Sequence, residues 1–323
     1  MMLHRLVPTS QRVSLDDLTD RLDLTAGDAR AKRSAFWLML TLSGVIAIAG
    51  VIGDSTATVI GAMIVAPLST PILGIGLGVV TGQGGLAWRS LVTVVIGAAV
   101  VIVLGVVLSL IVLDPASVLG NSQVTGRTSP RVPDLIAAIA TGFVGAVAIT
   151  RKDVGDVLPG VAIAISLVPP LGVVGVCLGT GSPALALGAL VLFVSNVTAL
   201  VIAAMVVLTA AGFAEEAGGT RRARLRVYGL LAVCVALVAI PITGNTLTNL
   251  WERQVREAAE IWLADTPSAE IVDVGWQAHR PIIEVRSPDE LPPVDALQAD
   301  VDELLGWSPD VVVVHDVGSR VNG

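Results

Sequence analysis

Two long apolar segments of the sequence are each interrupted by prolines beside small hydroxyl side chains. The residues of this pattern are Pro67, Ser69, Thr70 and Pro71 in the first segment and Ser166, Pro169 and Pro170 in the second. Because proline lacks a backbone N–H, it breaks a helix and frees a carbonyl, which in hydrocarbon persists only against protein or a wet cavity. The half-helix ends at such a break carry partial charges that suit an ion or a small polar solute. The alternative interpretation is a pair of packing kinks, since proline and glycine are common in transmembrane helices.

Four further polar side chains lie in or beside the apolar segments. They are Asp54, Asp153, Asp156 and Asn196. Carboxylates within membrane spans are candidates for ion or proton handling, but these aspartates lie at segment ends, where aspartate is also an ordinary helix cap. Asn196, flanked by Ser195 and Thr198, is a candidate for contact with a solute or for a hydrogen bond between helices.

The two proline-containing segments resemble each other when the sequence is shifted by 99 residues. Eight of 29 positions are identical between 54–82 and 153–181, including the leading aspartate, a proline of the break and a closing Thr-Gly pair. Each copy holds three predicted spans, so the two copies would cross the bilayer in opposite directions. Inverted repeats with interrupted helices occur in many secondary transporters, whose sites lie near the midplane.

Seven apolar stretches are long enough, or nearly so, to cross a hydrocarbon core of about 30 Å. They lie at about 35–53, 56–80, 90–113, 132–150, 155–178, 184–211 and 226–243. The sequence therefore predicts a polytopic α-helical membrane protein with an inverted repeat of three spans and a seventh span outside the repeat. An open alternative is that the second and fifth spans are re-entrant hairpins that fold back at their prolines.

Basic residues are distributed unevenly among the predicted loops. Arg30, Lys32 and Arg33 precede the first span, and this places the N-terminus in the cytoplasm. The outside loops then contain only Arg127 and Arg131 as basic residues. We therefore predict a multi-pass protein of the cell membrane, with a cytoplasmic N-terminus and an extracytoplasmic C-terminal domain.

The C-terminal part of the chain predicts a separate small domain. Apolar residues at helical spacing over 244–264 are followed by two alternating runs, a helix at 294–305 and a strand at 311–317, an order typical of an α+β fold. Twelve acidic and three basic residues at 265–323 make this the acidic part of a chain whose net charge is −7. The predicted divisions are a polar segment 1–34, repeat 35–113, loop 114–131, repeat 132–212, loop and seventh span 213–243, and helix with acidic domain 244–323.

Composition argues against several function classes. With 54% apolar and 15% charged residues, the chain does not fit a soluble cytosolic enzyme. The two cysteines and three histidines show no metal-ligand or catalytic spacing, and no phosphate loop, nucleophile elbow or basic nucleic-acid patch occurs. We therefore expect no enzyme activity, cofactor, metal site or nucleic-acid partner.

The proline-containing segments resemble a bacterial and archaeal membrane family, the domain of unknown function 389. The residues that carry the resemblance are IGAM from Ile60, APL from Ala66, TPILGIGLG from Thr70, PGVAIA from Pro159 and VPPL from Val168. It covers roughly residues 35–180. The resemblance implies an integral membrane protein and assigns no activity.

The sequence therefore favours a channel-like or secondary-transporter-like protein that moves an ion or small solute through a site between two proline-broken helices. The expected partners are the lipid bilayer, a second copy of the chain and an unspecified solute. The alternative is a non-transporting oligomeric membrane scaffold or sensor that works through its C-terminal soluble domain.

Overall fold

The computed structural model describes residues 10–112, 114–128, 132–154, 167–218, 229, 250–277 and 280–317. The chain divides into two compact units, Met1–Ile242 and Thr243–Gly323. Asp156, Ser166, the first half of the predicted fifth span and all but one residue of the predicted seventh span lie outside the described residues.

The described part of the first unit is helical. Its helices are α1 Leu15–Leu22, α2 Ala29–Ile52, α3 Thr56–Val65, α4 Ser69–Val80, α5 Gly84–Ser109, α6 Pro115–Leu119, α7 Ser122–Thr128, α8 Val132–Thr150, α9 Val168–Gly179, α10 Pro183–Ala210 and α11 Phe213–Glu216. By length and composition α2, α5, α8 and α10 can each cross a membrane, and α3 with α4 forms a fifth candidate span that is bent by 48°. These apolar helices are those of a multi-pass membrane protein.

Several helix ends differ from the predicted span ends, because a helix continues past the apolar run until a cap or a break stops it. Helix α2 begins at Ala29, six residues before the predicted span, because the Asp28 carboxylate caps it by accepting the Ala31 N–H at 3.0 Å. Two short helices, α6 and α7, occupy much of the segment that was predicted as a loop at 114–131. Asn121 caps α7 by accepting the Val124 N–H at 2.9 Å.

In both segments prolines lie in the first turn of a described helix, α4 in the first segment and α9 in the second. Helix α3 ends before Pro67, and Pro71 lies in the first turn of α4. Pro169 and Pro170 lie in the first turn of α9. The N–H groups of a first turn have no partner within the helix, so proline costs little there. The prolines therefore define where α4 and α9 begin.

Helices α4 and α9 match at an offset of 99 residues. Both are 12 residues long. After each helix a threonine closes the last turn: the Thr81 hydroxyl donates to the Leu77 carbonyl at 2.8 Å, and the Thr180 hydroxyl donates to the Val176 carbonyl at 2.8 Å. The next residue is a glycine with a positive φ in both cases, 73° and 79°. The following helices, α5 and α10, also begin 99 residues apart.

Two contacts between the repeated segments are reciprocal. A Cβ built on Gly76 of α4 would lie 2.8 Å from the Cβ of Ala204 in α10, and one built on Gly175 of α9 would lie 2.7 Å from the Cα of Gly105 in α5. Gly175 lies 99 residues after Gly76, and Gly105 lies 99 residues before Ala204. Each repeat therefore provides, in one of the two contacts, the position that the other repeat provides in the other contact. Such exchange is expected of two units related by a two-fold axis, because each then offers the other the same surface.

The outer helices of the two repeats, both in the first unit, make a further matching contact. A Cβ on Gly44 of α2 would lie 3.5 Å from Leu104 of α5, and a Cβ on Gly142 of α8 would lie 2.9 Å from Ala203 of α10. Residues 104 and 203 are 99 apart, and residues 44 and 142 are 98 apart. Small residues thus set close helix approaches at equivalent places in both halves.

At one end of the helices, the N-terminal segment contacts the ends of several spans. The N–H of Lys152, after α8, donates to a carbonyl of the N-terminal segment at 2.8 Å. Arg12 forms an ion pair with Glu216 in α11, and Arg89 of α5 forms one with Asp23 at 2.9 Å. We call this end of the unit the Asp23 end.

A different set of loops meets at what we call the Asp54 end. The Asp54 carboxylate, between α2 and α3, accepts hydrogen bonds from the Ser122 hydroxyl at 2.7 Å and from the Gln123 N–H at 3.3 Å. Thr128, the last residue of α7, lies directly against Gly188 of α10. Helix α7 is thereby fixed between the start of α3 and the start of α10.

The second unit is a small α+β domain, as predicted. Its elements are a helix over 250–262 (α12), β1 Glu270–Gln277, β2 Arg280–Ser287, α13 Val294–Leu305 and β3 Val312–Val317. Strand β2 pairs antiparallel with β1 and parallel with β3. Along β2, Ile283 and Val285 are fully buried and pack in one cluster with Trp262 of α12 and Leu297 of α13.

Candidate functional site

A cavity of about 250 Å³ lies against the first turn of α9, toward the Asp54 end. Its lining residues are Gly126, Arg127, Asp134, Ala137, Pro170, Leu192 and Asn196. They come from α7, α8, α9 and α10, so four helices enclose one space. We call it the Pro170 cavity. It has room for several water molecules or for a small solute.

The cavity brings together two residues that the sequence singled out. Pro170 is buried in the first turn of α9, and Asn196 of α10 is only 3% exposed. Leu192, one turn before Asn196, completes an apolar wall. A buried amide beside the start of a half-helix is the arrangement predicted for a polar site within the membrane.

Arg127 gives the cavity a positively charged group. Its Nη1 donates to the Gln123 carbonyl at 2.8 Å and to the Gln123 side-chain oxygen at 3.0 Å. The Gln123 amide in turn donates to the Thr56 hydroxyl at 2.9 Å. Burial lowers the pKa of Arg127, and within the described residues no acidic side chain forms an ion pair with it. A partly desolvated guanidinium is thus held at the cavity by neutral partners.

The first proline break faces a second, much smaller cavity. About 10 Å³ of space lies at Pro71, enough for one water molecule at most. It is lined by Asp23, Leu24, Thr25, Pro71, Arg89, Ser90 and Thr93. We call it the Pro71 cavity. Pro71 and Pro170 are equivalent in the repeat, so each break has its own cavity and they do not share one.

The Asp23 carboxylate, which lines the Pro71 cavity, accepts hydrogen bonds from Thr25 and Arg89. Burial alone would raise its pKa, but hydrogen bonds from the Thr25 side chain at 2.6 Å and the Thr25 N–H at 2.8 Å, together with Arg89, outweigh burial and lower the pKa of Asp23. The charged form is therefore the one that the fold stabilises. It joins the segment after α1 to the start of α5.

The remaining predicted residues lie elsewhere. Pro67, Ser69 and Thr70 are half-buried, and Pro169 is buried beside Pro170, but none of the four lines either cavity. Asp54 anchors α7, as described above. Asp153 is exposed and pairs with Arg151 at 2.6 Å. Asp156 and Ser166 lie outside the described residues.

Sequence analysis did not identify Arg127 or Asp134 as site residues. Arg127 was predicted only as a basic residue of an outside loop, because it lies between the predicted spans at 90–113 and 132–150. Two signals were present: Asn121-Ser122 is a helix start, and Gln123 and Arg127 are four residues apart, on one helical face. Among the residues that the structure describes, no group of three His, Cys, Asp or Glu side chains is placed to hold a metal ion.

The family model described as Domain of unknown function (DUF389) matches residues 63–202. An uncharacterized protein of Methanocaldococcus jannaschii is 34% identical over 196 residues, which cover 61% of this chain and 60% of the relative's length. No solved structure matches the chain. The matched region includes α4, α5, α8, α9 and most of α10, and with them all seven residues that line the Pro170 cavity. Residues 63–202 of this chain are thus similar to the family of the domain of unknown function 389.

Proposed function

We propose that the protein moves an ion or a small solute across the cell membrane through the Pro170 cavity, as a channel-like or secondary-transporter-like protein. The observation that carries the proposal is the convergence of Arg127, Asn196 and the start of α9 on one cavity of about 250 Å³. Packing kinks alone would leave the breaks sealed by side chains. A polar cavity at a broken helix is instead the arrangement typical of transporter binding sites.

An inverted repeat is part of this proposal. Helix α4 leads to Arg89 at the Asp23 end, whereas α9 leads to Gly188 at the Asp54 end. The two half-helices therefore run in opposite directions while making reciprocal contacts. This relation fits a pseudo-two-fold axis in the membrane plane, on which secondary transporters build alternating access.

Full membrane crossings, rather than re-entrant hairpins, agree best with the loop contacts. Asp54 touches Ser122, so an even number of crossings separates them, and α5 supplies only one unless α3 with α4 supplies the other. The ion pair of Asp23 with Arg89 likewise requires an even number of crossings between these two residues, at the opposite side of the membrane. Helix α2 supplies one crossing, and α3 with α4 must supply the other. A bend of 48° also leaves α4 continuing across the bilayer. On the basic-residue rule, the Asp23 end faces the cytoplasm.

Flux into proteoliposomes tests the proposal. The probes are a panel of Na⁺, K⁺, Cl⁻, H⁺ and small radiolabelled organic ions and neutral solutes. We expect a flux above protein-free vesicles that Arg127→Gln and Asn196→Leu each lower by about tenfold, the effect of roughly 1.4 kcal/mol at the limiting step. The matched control is Val95→Ala in α5, which is 59% exposed and lines neither cavity. No flux for the whole panel, or equal flux in all variants, would refute the proposal.

A second candidate function is a membrane scaffold or sensor that acts through the C-terminal domain. One observation favours it: β3 ends the described sheet with Val314 and Val317 exposed to 40% and 80%. An exposed apolar edge strand is a surface on which copies of a chain can associate. The proteoliposome panel separates the two candidates, because a scaffold gives no flux for any probe.

A further inference from the structure

The two proline breaks are equivalent in the repeat but differ in how open they are. The cavity at Pro170 has a volume of about 250 Å³, and that at Pro71 has about 10 Å³. They extend toward opposite ends of the unit, since Arg127 and Asp134 line the first and Asp23 and Arg89 line the second. One structure thus holds one open and one closed copy of the same arrangement.

Helix α1 and the residues after it close the smaller cavity. The Leu22 carbonyl would lie 3.2 Å from a Cβ built on Gly74, so α1 packs directly on α4. The carboxylate of Asp23, which is 10% exposed, accepts a hydrogen bond at 2.9 Å from Arg89, whose side chain is 51% exposed. Asp23, Arg89 and Ser90, the last only 5% exposed, all line the cavity.

Helix α7 occupies the equivalent place in the second repeat. Position 188, the counterpart of Arg89, is Gly188, and it contacts Thr128 at the end of α7. Glycine at this position provides no charge to form a second ion pair. Among the described residues, the position equivalent to Arg89 therefore carries no charge where the cavity is open, whereas the Asp23–Arg89 ion pair is present where the cavity is closed.

We propose that the Asp23–Arg89 ion pair is a gate that closes the cytoplasmic end of the solute pathway, and that the Pro71 cavity is the closed counterpart of the open Pro170 cavity. This inference rests on the proposed function. Because the two repeats make reciprocal contacts, a movement of one against the other gives each repeat the surroundings that the other had, with a small change in free energy. Opening the Pro71 cavity then accompanies closure of the Pro170 cavity, as alternating access requires.

Cysteine accessibility tests the gate. Ser90→Cys reports on the Pro71 cavity, and Ala137→Cys, an exposed lining position, reports on the Pro170 cavity. Each is made in the full chain with Cys234→Ala and labelled with a membrane-impermeant maleimide in right-side-out and inside-out vesicles. We expect Ala137→Cys to react from outside only and Ser90→Cys to react from neither side. With Arg89→Gln added, Ser90→Cys reacts from the cytoplasmic side about tenfold faster, and Ala137→Cys reacts more slowly.

Three controls make the result decisive. Arg89→Lys keeps the charge and should keep Ser90→Cys protected. Lys32→Gln removes the neighbouring ion pair of Lys32 with Asp20 (2.8 Å). Neither of these residues lines the Pro71 or the Pro170 cavity, so Ser90→Cys should stay protected in this variant as well. The buried Cys177 must stay unlabelled in a folded variant. If Arg89→Gln exposes Cys177 to the label, that variant is replaced by Asp23→Asn, which removes the same ion pair through its other partner.

Rapid labelling of Ser90→Cys without the gate substitution, or continued protection when the ion pair is removed, would overturn the inference. Both readouts are independent of transport. A protein that labels as expected but moves no probe in proteoliposomes would retain the gate and lose the proposed function. A protein that moves a probe but shows no effect of the ion pair on labelling would retain the proposed function and lose the gate.

Discussion

The aspartates at the ends of the apolar segments form hydrogen bonds and ion pairs with neighbouring residues of the fold. Asp54 and Asp153 were candidates for ion handling or for capping. Asp54 holds the start of α7 through Ser122 and Gln123, and Asp153 forms an exposed pair with Arg151. Neither lines a cavity, so their contacts favour structural roles. Of the charges that do line the cavities, Arg127 lies in the short helix α7, Asp134 and Arg89 lie near the starts of α8 and α5, and Asp23 follows α1.

Asp23 makes the stability of the N-terminal segment depend on pH. Its pKa is lowered in the folded protein from an ordinary value of 3.8. The unfolded chain therefore binds the proton more readily, and the stabilisation is complete above about pH 5 and is lost as pH falls through the folded pKa. We expect Asp23→Asn to lower the unfolding temperature by a few degrees at pH 7, with the difference vanishing as pH falls below about 4.

Thermal unfolding of the full chain in detergent, followed by tryptophan fluorescence between pH 7 and pH 3, measures this effect. Asparagine retains an acceptor for Thr25, so the variant isolates the charge. Asp20→Asn is the control, because the Asp20 side chain is 56% exposed and its pair with Lys32 contributes little. A difference that persists unchanged at pH 3 would contradict the role of the Asp23 charge.

Two of the seven residues that line the Pro170 cavity, Pro170 and Asn196, were singled out from the sequence. Pro170 and Asn196 were identifiable because a proline or an amide inside an apolar run must be satisfied by its surroundings. Arg127 and Asp134 were not, because a charged residue beside a span or at its start is compatible with an exposed loop or helix end. The packing of α7 against α9 and α10 brings Arg127 to the cavity, and the packing of α8 against α10 brings Asp134 there. Both depend on contacts distant in sequence.

At the level of elements, apolar length and caps predicted most helices well. Helices α8 and α10 agree with the predicted spans to within one residue, because both ends of these runs are sharp. Helices α6 and α7 were missed, since five and seven residues are too short for a periodic pattern to be recognised. The small domain was predicted correctly, because alternating strands and an amphipathic helix differ clearly in period.

The crossing of α5 and α9 depends on two glycines. A Cβ on Gly175 would lie 2.7 Å from the Cα of Gly105 and would also meet the Ile102 carbonyl. Backbone atoms cannot move aside as side chains do, so we expect Gly175→Ala to destabilise the protein by about 1–3 kcal/mol through overpacking. The unfolding temperature in detergent reports this loss.

Gly61 of α3 provides a matched control for that substitution. A Cβ built there meets no atom within 4 Å, and the helix gains about 0.5–1 kcal/mol when alanine replaces an interior glycine. Gly61→Ala should therefore leave the unfolding temperature unchanged or raise it. Equal effects of the two substitutions would show that the α5–α9 crossing is not the close approach seen in the structure.

For the whole first unit, the repeat explains why opposite ends carry similar contacts made by different residues. Helix α1 on α4 and α7 on α9 are equivalent, yet their sequences share no motif. The shift of 99 residues was visible in the apolar segments because prolines and glycines are constrained there. It was not visible in α1 and α7, where any polar, capped helix meets the same geometric need.

If the two repeats have opposite orientations, as we propose, the residues that begin α5 and α10 lie on opposite sides of the membrane. Gln83 and Ser182 are 99 residues apart, lie at equivalent helix starts and make no capping hydrogen bond through their side chains. In a chain with Cys177→Ala and Cys234→Ala, we expect Gln83→Cys to react with an impermeant maleimide only from the cytoplasmic side. Ser182→Cys should react only from the outside. Repeats that run in the same direction would place both cysteines on one side of the membrane, and that result would remove the basis for alternating access between the Pro71 and Pro170 cavities.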